Sequence, residues 1–229
     1  MGFLSERDQK LVRDRLAEMK EAVKLLHFTQ ALNCDSCSAA QKLLEEVAAL
    51  SEKLILEVHN LLLEKELAAR YGIDKVPATV IEGERDYGIR LYGLPAGYEF
   101  AVLLEDILHV SKRDSGLEPE SRERLKALRQ PVHLEVLVTP TCPYCPAAAR
   151  LAHQLAIESE WITADMVEAA EYPELVQRYR VRGVPKTVIN GRQFVDGAVP
   201  EEELIEQVLQ AAGVPQAQRE IASQVRSTV

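Results

Sequence analysis

Hydrophobic residues fall along this chain in two modes, short apolar runs and amphipathic stretches, and the same order of modes occurs twice. The stretch from Met1 to Lys20 mixes charges with hydrophobes at helical spacing and predicts an amphipathic helix with Leu4, Leu11, Leu16 and Met19 on its buried side. Apolar runs at Val23–Gln30 and Lys53–Val58 read as strands. Helices are expected from Cys34 to about Leu50 and over Leu61–Arg70. A strand pair, Pro77–Glu82 and Gly88–Tyr92, turns around Gly83, and Ala96–Val110 closes the half as a helix. The second half predicts a helix at Glu120–Arg129, a strand at Val132–Thr139, a helix to about Ile157 and a strand at Trp161–Val167. A helix near Pro173–Tyr179, strands Pro185–Ile189 and Gln193–Val195 around the hairpin signal Asn190-Gly191, and a helix Pro200–Ala212 complete it. Val214–Val229 reads either as a helical extension or as irregular chain.

The repetition is also one of identity. Cys34 and Cys142 are 108 positions apart, as are Cys37 and Cys145. At that offset Tyr71–Gly83 lies over Tyr179–Gly191, with seven of thirteen positions identical. A period above one hundred residues is too long for a solenoid and implies duplicated globular units. The polar segment Ser111–Pro119 supplies the boundary, giving units 1–114 and 115–229. The β-α-β then β-β-α order predicts an α/β fold: in each unit a mixed sheet flanked by helices.

Composition narrows the function. Hydrophobic residues make up 47% of the 229, enough for a packed core, and the formal charge of -9 argues against a nucleic-acid partner. No stretch approaches the roughly 20 apolar residues of a membrane span. The charged N-terminus lacks a signal-peptide core, so a cytoplasmic location is expected.

The four cysteines form two Cys-x-x-Cys motifs, Cys34-Asp35-Ser36-Cys37 and Cys142-Pro143-Tyr144-Cys145. Exchange with a disulfide needs one thiolate that attacks and a second thiol that resolves the mixed disulfide. Cysteines at i and i+3 of a helix start share a face close enough to bridge, and the positive helix end favours the first thiolate. Cys34 and Cys142 are therefore the expected nucleophiles, and Cys37 and Cys145 the resolving thiols. No cofactor beyond the redox-active disulfides Cys34–Cys37 and Cys142–Cys145 is expected, and no metal. Asp35 beside Cys34 disfavours its thiolate, so Cys142–Cys145 is expected to be the more oxidising pair. Zinc knuckles are the competing reading, but a zinc ribbon separates its pairs by about 15–20 residues, whereas 104 lie between Cys37 and Cys142.

Val76-Pro77 and Val184-Pro185 each stand 43 residues beyond the first cysteine of their unit. A cis proline there would hold the preceding backbone open for a substrate chain; a trans proline marking a strand start is the plain alternative. Glu135 lies inside the apolar run Val132–Val138, with His27 in its register position in the first unit. Either is a candidate acceptor for the resolving thiol's proton, or a residue at an edge or facing solvent. His59, His109, His133 and His153 form no metal-like cluster and are expected at the surface or partly packed; Trp161, Tyr71 and Tyr179 are expected to pack.

A strand, Cys-x-x-Cys opening a helix, and Val-Pro before a hairpin together resemble the thioredoxin fold, and Cys142-Pro143-Tyr144-Cys145 is the glutaredoxin form of the motif. Two such units in tandem resemble the glutaredoxin-like protein disulfide oxidoreductases of thermophilic bacteria and archaea. The resemblance implies two tandem thioredoxin-like domains acting on protein disulfides through Cys34, Cys37, Cys142 and Cys145. It implies cis bonds at Pro77 and Pro185, with Val76 and Val184 beside the substrate. Disulfide-containing proteins and a thioredoxin-reductase-like flavoenzyme would be the partners, with a homodimer left open. A related arrangement is the N-terminal double-thioredoxin region of a flavoprotein that reduces peroxiredoxin. That makes an electron-donor module for a peroxidase the nearest alternative, and a zinc-binding scaffold the alternative of another class.

Overall fold

The computed structural model describes residues 2–216 and 219. The expected Val214–Val229 extension therefore lies largely outside the described residues.

The first unit runs α1 (Glu6–Leu16), β1 (Val23–Thr29), α2 (Cys37–Ala48), β2 (Leu54–Asn60), α3 (Lys65–Arg70), β3 (Ala78–Glu82), β4 (Asp86–Tyr92) and α4 (Glu99–Lys112). The second runs α5 (Pro119–Leu125), β5 (Val132–Val138), α6 (Cys145–Glu158), β6 (Ile162–Glu168), α7 (Pro173–Arg178), β7 (Lys186–Ile189), β8 (Gln193–Asp196) and α8 (Glu201–Ala211). Helix α1 starts where Ser5 Oγ accepts from the Asp8 amide at 3.2 Å, with acidic residues in its first turn and Arg13 and Arg15 in its last. Its buried stripe is Val12 and Leu16. Leu11, expected inside, is 59% exposed and lines an open apolar groove with Phe3, Phe100 and Leu104.

The eight strands form one sheet in the order β2-β1-β3-β4-β6-β5-β7-β8. Within each unit the first two strands are parallel and the hairpin is antiparallel, which gives the expected mixed sheet. The units join where β4 pairs in parallel with β6, from Ile89↔Ala164 to Tyr92↔Val167. Gly88 makes that approach feasible: at φ +78°, a Cβ there would stand 2.9 Å from the Ile162 carbonyl oxygen.

One large core covers one sheet face and runs through both units, from Leu16, Leu25 and Leu103 to Leu134, Leu155 and Val208. A smaller one on the other face gathers Phe28, Tyr71, Leu137, Tyr172 and Tyr179 beside α3 and α7. Helices α4 and α6 pack across the joint. Between them His153 Nδ1 and Asp106 Oδ2 meet at 2.6 Å, both side chains fully buried. His153, expected to be no more than partly packed, is thus wholly interior, because its ring nitrogen finds a carboxyl oxygen from the other unit. Among the described residues no helix is long and apolar enough to cross a membrane.

Candidate active sites: two bridged dithiols beside cis prolines

Each Cys-x-x-Cys motif lies at the C-terminal end of its unit's first strand and runs into the following helix. The helices begin at Cys37 and Cys145, so Cys34 and Cys142 stand in the turn just ahead of them. Ser36 and Tyr144, at the helix caps, offer no side-chain cap. Pro143 accordingly precedes the helix, and the proline in its first turn is Pro146. Both pairs are bridged, with Cα atoms 5.5 Å apart in each. Cys37 and Cys145 are buried, and Cys34 is partly exposed.

At the second site the Cys145 amide donates to Cys142 Sγ at 3.2 Å, and that sulfur lies 3.6 Å from the Val184 carbonyl oxygen. The bonds Val76-Pro77 and Val184-Pro185 are both cis. The Cys142 sulfur and the residue before the cis proline therefore face one another, and Tyr144, 70% exposed, stands at the rim.

The first site is built from both units. Ser36 Oγ, inside the motif, donates to the carboxylate of Glu171, whose other oxygen accepts from the Leu94 amide at 2.7 Å. Tyr172 Oη donates to the Pro77 carbonyl at 3.1 Å. In return, the Tyr98 amide of the first unit donates to Pro140 O at 3.0 Å, in the loop leading to Cys142. At this joint Glu99 is 1% exposed, and neither of its carboxylate oxygens has a partner. Burial, with the charges of Glu168 and Glu171 adding, pushes its carboxyl up to about 8. Burial also raises Glu168. None of these joint residues carries a sequence signal, because each acquires its role from a partner in the other unit.

Glu135 does not lie under its dithiol. Leu134, Val136 and Val138 share the core with Cys142 and Cys145, whereas Leu137 belongs to the opposite face. Strand alternation puts Glu135 on that opposite face, where it accepts from Tyr179 Oη. Nor is His27 its register mate. His27 pairs with Thr79, two residues beyond Pro77, and Val136 pairs with Thr187, two residues beyond Pro185. His27 therefore corresponds to Val136, and Glu135 to Leu26. The loop from β1 to Cys34 is one residue longer than that from β5 to Cys142, which shifts the strands against the cysteines.

Two stretches of the chain, residues 23–101 and 132–210, match the model of a thioredoxin domain. A protein disulfide oxidoreductase from Aeropyrum pernix superposes with a TM-score of 0.86 at 33% identity, covering 91% of this chain and 94% of that one. The N-terminal domain of alkylhydroperoxide reductase AhpF from Enterococcus faecalis superposes at 0.84 with 27% identity, covering 90% and 100%. Among curated relatives, an NADH dehydrogenase of Bacillus subtilis is 26% identical over 163 residues, 71% of this chain. The AhpF-type alkyl hydroperoxide reductase of Staphylococcus epidermidis is 27% identical over 200 residues, 86% of this chain. The chain spans only 30% and 36% of the length of these two proteins.

Proposed function

We propose, from the premise that this chain belongs to the thioredoxin-domain family, that it reduces, oxidises or isomerises disulfides of protein substrates through two dithiol sites. The observation that carries the reading is the repeated geometry: a bridged Cys pair at a helix start beside a cis Val-Pro bond, in each unit. In the reducing direction the Cys142 thiolate attacks a substrate sulfur, and the substrate's other sulfur leaves as a thiolate. The Cys145 thiol then loses its proton and attacks Cys142 Sγ, which restores the bridge and frees the second substrate thiol. Val184 with Pro185, and Val76 with Pro77, present open backbone on which an extended substrate segment pairs. The sulfurs carry the electrons, so the exchange needs no further cofactor. A flavoenzyme of the thioredoxin-reductase kind re-reduces the bridges, in a reducing compartment such as the cytoplasm.

The likeness to the AhpF N-terminal domain favours a second reading with the same chemistry, in which the receiving partner is a peroxidase. Trapping distinguishes them. With Cys37→Ser and Cys145→Ser, the attacking cysteines hold partners as mixed disulfides. Varied disulfide proteins on Cys142 support the first reading, and a single peroxidase supports the second. If nothing accumulates, and insulin reduction is unaffected by Cys142→Ser, exchange at the second site is refuted.

A further inference from the structure

The seat that receives the Glu168–Tyr172 turn exists in both units and is filled in one. In the first unit it is Gly93, whose amide donates to the Pro77 carbonyl at 2.9 Å, followed by the Leu94 amide. In the second it is Gly197, whose amide donates to the Pro185 carbonyl at 2.8 Å. A Cβ on Gly93, at φ +104°, would stand 2.6 Å from Glu168 Cβ and 3.0 Å from Glu171 Oε1, so only glycine admits the turn. A Cβ on Gly197 would meet nothing within 4 Å among the described residues.

The occupant of the first seat brings a charge. Glu171 is half-buried and fixed by its surroundings: its own amide donates to Glu168 Oε2 at 2.9 Å, and the next residue, Tyr172, is tied to the Pro77 carbonyl. Its carboxylate accepts from the Leu94 amide and from Ser36 Oγ. Both donors are neutral, so neither cancels the charge. Ser36 directly precedes Cys37 and stands two residues after Cys34. A carboxylate hydrogen-bonded to it therefore sits against the motif itself. Tyr144, the counterpart of Ser36 at the second site, is 70% exposed. Asp35 is the charge that the sequence sets beside Cys34, but it is exposed, and water and salt screen it. Glu171 is less accessible, so its field is screened less. A negative charge beside a thiolate disfavours it, and a disulfide whose thiolate is disfavoured is harder to reduce.

We propose that Glu171, a residue of the second unit, strengthens the first dithiol as a reductant by holding an uncancelled carboxylate charge against its Cys-x-x-Cys turn, and that it outweighs Asp35 in doing so. The proposal rests on the exchange reading above, in which Cys34 ionises to attack. The first site thus takes its redox character from outside its own unit, and the second site, whose seat at Gly197 is open, does not.

The test isolates the first pair in the full chain with Cys142→Ser and Cys145→Ser, equilibrated at neutral pH with reduced and oxidised dithiothreitol. Reduction breaks the Cys34–Cys37 bond and moves two electrons and two protons from dithiothreitol, which closes to its cyclic disulfide. The Cys34 thiol then gives its proton to solvent as far as its thiolate is stable. Acid quenching and alkylation of the thiols read the reduced fraction. Glu171→Gln keeps an oxygen for both donors and loses the charge. It should raise the equilibrium constant for reduction about tenfold, equivalent to about 30 mV. Asp35→Asn should raise it by less than about threefold. The Cys142–Cys145 pair, measured with Cys34→Ser and Cys37→Ser, should move by less than about twofold on Glu171→Gln, which separates a local charge from a general loosening of the joint. Glu171→Met, of similar length and uncharged, carries the same expectation should the glutamine variant fail to fold. An unchanged first pair, a larger effect of Asp35→Asn than of Glu171→Gln, or equal shifts at both pairs overturns the proposal. If the parent's first bridge reaches no reversible equilibrium with dithiothreitol, the exchange reading of this site fails first.

Discussion

Replacing Glu99 with Gln should make the protein more stable at neutral pH, by an amount that grows with pH. Glu99 is 1% exposed, both carboxyl oxygens lack partners, and Glu168 and Glu171 stand near with like charge. Its pKa moves from the ordinary 4.5 to about 8. For a carboxyl raised in the folded state, the protonated form is the one that folding favours. Its contribution to stability is therefore fully present below pH 4.5 and is lost as pH rises through 8. One pKa unit corresponds to 1.36 kcal/mol, so the carboxyl costs about 3 kcal/mol at pH 7 and about 5 kcal/mol above pH 8. Glutamine keeps the shape of the protonated acid and cannot ionise. Urea unfolding of the oxidised protein at pH 4, 5, 6, 7 and 8, with m values compared, measures the difference. The two proteins should agree near pH 4 and then diverge by roughly 1.4 kcal/mol per pH unit. Parallel stability curves, or a variant less stable at every pH, would show that Glu99 is ionised or that its carboxyl has a partner, and would refute the reasoning.

The second bridge should be the more oxidising. The Cys145 amide supports a Cys142 thiolate, whereas Asp35 adjoins Cys34 and Glu171 engages Ser36. Redox titration of variants that keep one pair should place Cys142–Cys145 at least about 30 mV higher, equivalent to 1.4 kcal/mol; the opposite order rejects the electrostatic argument. Glu135→Gln should leave the pH profile of insulin reduction through the second site unchanged, because the carboxylate faces Tyr179 across the sheet from the cysteines; a shifted profile would restore Glu135 as the proton acceptor. Gly97→Ala should cost about 2 kcal/mol in urea unfolding, since at φ +60° the new Cβ would meet Pro140 O at 2.3 Å; an unchanged midpoint would mean that the loop before Cys142 yields freely. Asp106→Ala should cost about 2 kcal/mol by the same assay because it leaves a buried histidine nitrogen without its partner; a loss under 1 kcal/mol would refute the importance of that pair.

Short-range geometry is legible in the residues. The cysteine spacing places a bridge at a helix start, and a Pro 43 residues later marks a strand entry, because both depend on local backbone geometry. The hairpin at Asn190-Gly191 forms for the same reason, with both residues at positive φ. The ungapped offset of 108 holds only downstream of the cysteines. One extra residue ahead of Cys34 shifts β1 against β5, and a shift of one in a strand moves every side chain to the other face. That is why the offset makes counterparts of Glu135 and His27 although they point to opposite sides of the sheet. Leu11 has the spacing of a buried residue and is exposed, because periodicity marks a face without saying what covers it. His153 looks peripheral in the sequence because Asp106, its partner, lies in the other unit.

The joint shows how two similar sequences come to hold unequal sites. Asn60–Glu64 and Glu168–Tyr172 are the same turn after equivalent strands, β2 and β6. In the first unit the turn closes on itself. Glu64 accepts from the Asn60 amide at 2.9 Å and meets His59 at 2.8 Å, while Leu62 and Leu63 stay exposed at the free edge of the sheet. In the second unit β6 is paired with β4, so the same turn rests against the first unit. There Tyr172 in place of Glu64 reaches the Pro77 carbonyl, and Glu171 in place of Leu63 reaches Ser36 and the Leu94 amide. Substitutions in that turn therefore act on the first dithiol from outside its own unit. Among the described residues, the surroundings of the second dithiol come from its own strands, the Cys145 amide and the contact from Tyr98 to Pro140. Duplication supplied two equal scaffolds, and pairing them edge to edge made one site a product of both units.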